Sequence, residues 1–133
     1  MSFKSNLINI VLVETSHPGN IGSVARAMKT MGLSELSLVK PRKFPSGEAN
    51  ALSGNATDVL ENAKIFDSIE NAIKDSTFVY ATSSRSRTIQ WPTVHAEEGA
   101  SLINNQVSSN KKVSILFGRE DRGLTNEELQ LAN

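Results

Sequence analysis

The chain alternates short apolar runs with segments of helical periodicity. Residues 8–13 form an apolar, β-branched run that predicts a buried strand, and residues 36–39 predict the next one. Between them, apolar side chains recur at steps of three and four residues, which predicts an amphipathic helix. These side chains are Ile21, Val24, Ala25, Met28 and Met31. We expect Asn20 to cap that helix and Gly32 to end it.

The same alternation continues to the end of the sequence and defines the fold class. Further strands are predicted at 64–66, 77–81 and 113–117, and further helices at 58–63, 68–74 and 97–105. Residues 42–54 carry less pattern, with a loop at 44–47 and one or two helical turns at 48–53. Strands that alternate with helices predict an α/β domain, a mostly parallel sheet with helices on both faces.

A last helix begins close to the end of the sequence. Thr125 and Glu128 form a capping box, and Leu124 and Leu129 form a hydrophobic staple. No C-cap, glycine or proline follows before Asn133. We therefore expect a single domain over residues 1–133 that is cut short before its last segment.

Three unusual loops follow predicted strands, at residues 14–22, 82–88 and 118–123. In parallel α/β sheets, ligands bind beyond the carboxyl ends of the strands, so these loops are the candidate site. The first loop has neither the G-x-G-x-x-G pattern nor the Gly-Lys-Ser/Thr of a phosphate loop, which disfavours Rossmann dehydrogenases and P-loop enzymes.

Arg26 is the charged residue that the first loop brings close to this edge. A helical side chain leans toward its own N-terminus, so we expect the guanidinium to lie over Gly22 and Asn20. Gly22 is expected to leave room there for a ligand. The alternative is a solvated arginine on an exposed helix face.

The second loop combines hydroxyl groups with two arginines. Thr82, Ser83 and Ser84 offer hydroxyls and backbone N–H groups that suit a polar cofactor. Arg85 and Arg87, at alternate positions, suit bidentate contacts with phosphates. An ordinary polar turn remains the alternative.

The third loop places a glycine and a charged pair after a strand. Gly118 lets a ligand approach the backbone closely. Arg119 and Glu120 then lie at the same edge, and a salt-bridged loop is the alternative interpretation. The two histidines, His17 and His95, are isolated and lack the spacing of metal ligands, so no metal is expected.

Composition narrows the chemistry further. Lys plus Arg and Asp plus Glu both number 14, so the formal net charge is zero and a binder held by bulk charge is disfavoured. Cysteine is absent, which excludes disulfides, zinc ribbons, iron–sulfur clusters and thiol catalysis within this sequence. No apolar run reaches the length of a membrane span, and no signal peptide is seen. We expect a cytoplasmic protein.

Positive charge is concentrated locally despite the neutral total. Residues 1–47 carry six basic and two acidic side chains, whereas residues 48–78 carry two basic and six acidic ones. A positive patch on a neutral protein suits a structured polyanion better than non-specific binding, although charges that only solvate loops are the alternative.

Taken together, these loops resemble one family, the SpoU-class tRNA 2′-O-ribose methyltransferases of the SPOUT superfamily, and within it the TrmJ type. The resemblance covers residue 7 to the end. It is carried by Val11–Met28, with His-Pro-Gly-Asn-Ile-Gly at residues 17–22, and by Thr82–Arg87, Leu116–Glu120 and Gly123–Leu129. The third motif of that family, a Ser-Leu-Asn turn that forms the trefoil knot and completes the cofactor pocket, is missing. The resemblance therefore implies an α/β knot fold without its knot-forming segment, and a 133-residue chain that binds cofactor poorly by itself.

The resemblance also implies a reaction and a site. It implies S-adenosylmethionine-dependent 2′-O-methylation of cytidine or uridine at position 32 of tRNA, by a homodimer whose site is completed between subunits. Catalytic roles are implied for Arg26 and Asn20, and an edge position at the substrate for Arg119 and Glu120. The implied cofactor contacts are Thr82, Ser83, Ser84 and Gly118.

Two other functions are compatible with the same pattern. An RNA-binding protein on this fold that has lost catalysis would not need Asn20 and Arg26. A nucleotide- or flavin-binding α/β domain would bind cofactor without RNA and would leave Arg26 unexplained.

Overall fold

A computed structural model describes residues 5–42, 44, 47–82, 96–119 and 124–132. Within these ranges the chain forms a five-stranded sheet in the order β3-β2-β1-β5-β4, and every neighbouring pair is parallel. The strands are β1 (Ile8–Val13), β2 (Glu35–Val39), β3 (Lys64–Phe66), β4 (Phe78–Ala81) and β5 (Val113–Phe117). The predicted parallel α/β sheet is confirmed.

Six helices connect and cover these strands in the described ranges, after a short 3-10 turn at Ser5–Leu7. They are α1 (Pro18–Met31), α2 (Gly47–Leu52), α3 (Thr57–Glu61), α4 (Ile69–Ile73), α5 (Ala96–Ser108) and α6 (Asn126–Leu129). Every predicted helix is present, with ends that differ by up to three residues. In this part of the chain, none of the helices is long and apolar enough to cross a membrane.

Alternate residues of β1 divide the core into two clusters, because successive side chains of a strand point to opposite faces. Ile10 and Leu12 pack in one cluster with residues of α1, α2, α3 and α5. Val11 and Val13 pack in the other with residues of α4 and α6. Both faces of the central strand are therefore covered by helices, as expected for a parallel sheet.

A buried polar network lies on the face of the sheet that α4 and α6 cover. Asn9 of β1 accepts a hydrogen bond at Oδ1 from Ser37 Oγ of β2, 2.6 Å away. Its Nδ2 donates to Ser114 Oγ of β5 at 3.1 Å and to the Ala72 carbonyl of α4 at 3.2 Å. Ser114 also shares a hydrogen bond of 2.5 Å with Ser76. The network joins three strands and one helix within the core.

The ends of the helices follow local signals. Gly32 adopts the left-handed conformation, φ 78°, and its N–H donates to the Lys29 carbonyl, so the predicted C-terminal glycine of α1 is confirmed. The capping box of α6 is also confirmed, because Thr125 Oγ1 accepts from Glu128 N while Glu128 Oε1 accepts from Thr125 N.

Candidate functional site at the carboxyl edge of the sheet

The carboxyl ends of the two central strands lie side by side. Leu12 of β1 pairs with Phe117 of β5, so the residues that follow each strand meet at one edge. Thr15 follows β1 and is buried, and Gly118 follows β5. The first and third loops of the sequence are thus neighbours in space, as predicted.

An apolar pocket of about 420 Å³ opens between these strand ends and α1. It is lined by Ile10, Leu12, Thr15, Asn20, Ser23, Val24, Ala27, Met28, Met31, Phe117 and Gly118. Two predicted site residues, Asn20 and Gly118, therefore share one pocket. Its volume lies in the range of small-molecule sites, and its few polar groups could fix a ligand's orientation.

The start of α1 differs from the prediction. His17, not Asn20, is the N-cap residue, with extended backbone and no side-chain cap bond. Pro18 takes the first helical position, because its fixed φ suits a helix and its missing N–H would be unpaired there. Asn20 lies in the first turn, where no described residue hydrogen-bonds its side chain. Its amide is thereby left exposed at the rim of the pocket.

Gly22 does not leave room for a ligand, and that expectation is wrong. A Cβ at Gly22 would lie 2.1 Å from the carbonyl oxygen of Ala49 and 3.1 Å from the nitrogen of Ser53. The backbone of α2 occupies this space. The glycine allows α1 and α2 to pack closely.

Arg26 lies on the same face of α1 as Gly22, beside the turn after α2 that also packs on Gly22. Its side chain is exposed and runs beside Gly54, in the turn after α2, with Cδ 3.8 Å from the position of a Cβ there. No described residue forms an ion pair with its guanidinium, and Arg26 is not among the residues that line the apolar pocket. Within one chain, Arg26 therefore lies beside the turn after α2, whereas Gly118 lies in the apolar pocket.

Thr82 joins β4 to the end of β5. Its N–H and its hydroxyl both donate to the carbonyl of Leu116, each at 3.0 Å. This double contact holds the first residue of the second loop against β5, two residues before Gly118. The other predicted residues of that loop and its neighbour lie outside the described residues. They are Ser83, Ser84, Arg85, Arg87 and Glu120.

Arg119 forms a three-way ion cluster. The alternative interpretation of the third loop, a salt-bridged loop, anticipated ion pairs here, but the partners Glu14 and Glu128 were not predicted. Its Nη1 and Nη2 donate to the two carboxylate oxygens of Glu128, at 2.8 and 3.0 Å, and Nη2 donates to Glu14 Oε2 at 2.6 Å. The Arg119 side chain is only 17% exposed. Arg119 therefore lies at the predicted edge of the site, but its side chain is paired with two carboxylates of the same chain. A direct contact with the substrate stays a prediction.

These contacts set the charge states in the cluster. Hydrogen bonds to Glu128, reinforced by Glu14, hold the pKa of Arg119 above its usual value despite partial burial. Burial would raise the pKa of Glu128, but the hydrogen bonds from Arg119 and Thr125 outweigh it and lower that pKa. Arg119 and Glu128 are thus both charged at neutral pH.

Glu14 carries a backbone signal that sequence reasoning did not use. It has φ 51°, in the left-handed region that non-glycine residues rarely adopt. Its N–H donates to the Val39 carbonyl at 2.8 Å, which extends the pairing with β2 past the end of β1. Such conformations often occur at functional sites, where surrounding contacts impose them.

Comparison with known proteins identifies the family of the chain. Residues 7–133 match the SpoU rRNA Methylase family. The chain is 50% identical over 123 residues to the tRNA (cytidine/uridine/adenosine-2′-O-)-methyltransferase TrmJ of Pseudomonas aeruginosa, covering 92% of this chain and 48% of that protein. It is 52% identical over 123 residues to the tRNA (cytidine/uridine-2′-O-)-methyltransferase TrmJ of Escherichia coli K12, covering 92% and 50%.

The fold matches a solved structure as well. TrmJ from Z. mobilis ZM4 superposes with a TM-score of 0.87 at 38% identity, covering 93% of this chain and 55% of that one. The chain spans about half the length of the curated relatives it matches. Because the family match extends over nearly the whole chain, the chain belongs to the SpoU rRNA methylase family.

Proposed function

We propose that the full-length protein is a tRNA methyltransferase that methylates the ribose 2′-hydroxyl of cytidine or uridine, at position 32 of the anticodon loop. The observation that carries this proposal is the 50% identity, over 92% of the chain, to relatives named as tRNA 2′-O-methyltransferases. The geometry supports it, because Asn20 and Gly118 share one pocket at the carboxyl edge of a parallel sheet.

Arg26 is proposed to orient the ribose and to stabilise charge on its 2′-oxygen. Arginine is a donor only, so it is poorly suited to remove the hydroxyl proton. An exposed guanidinium without an ion-pair partner among the described residues is free to contact the 2′-oxygen and an adjacent phosphate. The proton would pass to phosphate or water, and Asn20 would position the reacting groups from the pocket rim.

S-adenosylmethionine is the proposed cofactor, and its sulfonium methyl group supplies the reactive carbon. Two observations fit such a ligand. Gly118 opens the end of β5 onto a pocket of suitable volume. Thr82 fixes the neighbouring strand end through its main chain and hydroxyl. Thr82 and Gly118 would hold the cofactor together with Ser83 and Ser84.

Two partners complete the proposal. Arg85, Arg87 and Glu120 would contact tRNA at the same edge of the sheet. A second copy of the chain would complete the site, because Arg26 does not line the pocket that contains Gly118 of its own subunit.

The test is Arg26→Ala in the full-length protein with unmodified tRNA as substrate. We expect methyl transfer to fall by about 10²- to 10³-fold, the usual cost of one preorganised donor, while S-adenosylmethionine affinity stays close to wild type. Lys29→Ala is the matched control, because Lys29 lies one turn further along α1 and pairs with Asp58 at 2.8 Å. Near-normal turnover of Arg26→Ala would contradict the assignment, and an inactive wild-type protein would indicate a non-catalytic RNA-binding role.

A further inference from the structure

The Arg119 cluster connects three separate segments at the edge of the sheet. Arg119 follows β5 by two residues, Glu14 follows β1 directly, and Glu128 belongs to the first turn of α6. The fork of the guanidinium holds both oxygens of Glu128 while one nitrogen also reaches Glu14. A planar group with several donors can make this bridge, whereas an ammonium group is a single point of charge.

The residues next to this cluster line the apolar pocket. Thr15 follows Glu14, Gly118 precedes Arg119, and both Thr15 and Gly118 line it. Displacement of the Glu14 carboxylate or of the Arg119 guanidinium would therefore shift backbone that faces the pocket. Arg119 and Glu128 themselves are not among the lining residues, and their side chains are only 17% and 15% exposed.

Glu14 shows why the bridge matters for the backbone. Its φ of 51° is unfavourable for a residue with a Cβ, so neighbouring contacts must hold it. Two contacts do so at once, from its N–H to Val39 and from its carboxylate to Arg119. Lys40 provides a natural comparison, because it follows β2 with φ 48° and its N–H donates to Phe66, but no described residue pairs with its side chain.

We propose that Arg119 is a positioning residue, which holds the loops after β1 and β5 in the geometry that binds S-adenosylmethionine, through Glu14 and Glu128. This inference rests on the proposed function. It differs from a direct tRNA contact by Arg119, which would affect tRNA binding alone. It also differs from a purely stabilising ion cluster, which would affect unfolding but not cofactor affinity.

The experiment measures S-adenosylmethionine binding by titration calorimetry, without tRNA, well below the unfolding temperature. Arg119→Ala and Glu14→Ala in the full-length protein are each expected to raise Kd by about tenfold, because a small misplacement of binding groups is costly. The double variant should lose no more than Arg119→Ala alone, since both changes break one interaction. Arg119→Lys should restore only part of the affinity, and Lys40→Ala, the matched control, should bind like wild type.

Three outcomes would overturn the inference. Wild-type cofactor affinity in both Arg119→Ala and Glu14→Ala would leave Arg119 with a stabilising role at most. In a second outcome, Arg119→Ala keeps the wild-type cofactor affinity, and the salt dependence of its tRNA binding constant falls by about one unit of slope, while Glu14→Ala shows no such change. This result would assign Arg119 to a contact with a tRNA phosphate. A wild-type protein that methylates no tRNA and binds no S-adenosylmethionine would overturn the proposed function as well. Thermal unfolding of each variant checks that it is folded at the temperature of measurement.

Discussion

Gly22 shows how a single residue sets the distance between two helices. The absence of a side chain lets the carbonyl of Ala49 and the N–H of Ser53 approach α1 directly. The helix positions of α1 and α2 depend on this contact, and α1 carries both Asn20 and Arg26. A change at Gly22 would therefore reach the candidate site through the backbone.

Gly22→Ala is expected to lower the free energy of unfolding. Overpacking usually costs about 1–3 kcal/mol, and the higher helix propensity of alanine offsets about 1 kcal/mol of that cost. A Cβ that falls 2.1 Å from a carbonyl oxygen cannot be accommodated without movement of α2. Urea unfolding measures the effect. Gly47→Ala is the control, since a Cβ there meets nothing within 4 Å and stability should stay within about 0.5 kcal/mol. Equal stabilities of the two variants would show that α2 can move without cost.

Residue roles were predictable from sequence where they depend on near neighbours. The capping box of Thr125 and Glu128 and the terminal glycine of α1 are local and were correct. The room expected at Gly22 was wrong because α2, more than 20 residues further along the chain, fills it. The pairing of Arg119 with Glu14 was missed for the same reason, since Glu14 is 105 residues away in sequence.

At the scale of elements, Asn9 interrupts an otherwise apolar central strand. The sequence predicted β1 correctly from its apolar, β-branched run, but that pattern does not explain an asparagine that is only 4% exposed. Its three hydrogen bonds tie β1 to β2, β5 and α4. Because each bond needs one relative position of its partners, the network favours one register of the three strands.

Asn9→Ala is expected to destabilise the fold by about 2–4 kcal/mol, because it leaves the Ser37 hydroxyl and the Ala72 carbonyl buried without their partner. Ser114 retains its contact with Ser76. The measurement is the free energy of unfolding in urea. Replacement of both partners, in Asn9→Val with Ser37→Ala, should recover part of the loss, since no unpaired hydroxyl then remains on β2. If Asn9→Ala is as stable as wild type, water must replace the asparagine amide as the hydrogen-bond partner of Ser37 and Ala72.

The short helix α2 shows where hydrophobic periodicity no longer predicts secondary structure. Residues 42–54 carried weak signals, and within them the structure forms α2 over Gly47–Leu52. Six residues are too few for a stable isolated helix, so packing on α1 must hold α2. Ala49, which is fully buried against Gly22, provides that packing.

At the scale of the whole molecule, the candidate catalytic arginine and the candidate cofactor edge are separated. Arg26 lies beside Gly54, on the side of α1 that faces the α2 turn, whereas Gly118 lies in the apolar pocket on another side of the same helix. The sequence predicted that Arg26 and Gly118 lie at one edge of the sheet. It could not show that they lie on different sides of α1, because that depends on how α2 packs. The separation is the structural reason to propose that two subunits form each site.

Subunit mixing tests this arrangement in the full-length protein. Arg26→Ala removes the proposed catalytic side chain, and Gly118→Val obstructs the proposed cofactor contact, so each variant alone should be inactive. In a randomly mixed population, half of the dimers contain one subunit of each kind, and each mixed dimer retains one intact site that combines Arg26 of one subunit with Gly118 of the other. Co-expression should therefore restore about a quarter of wild-type tRNA methylation, as expected for a closed two-fold dimer. A mixture no more active than the separate variants would show that each subunit carries its own complete site, and that Arg26 reaches the cofactor edge of the same chain.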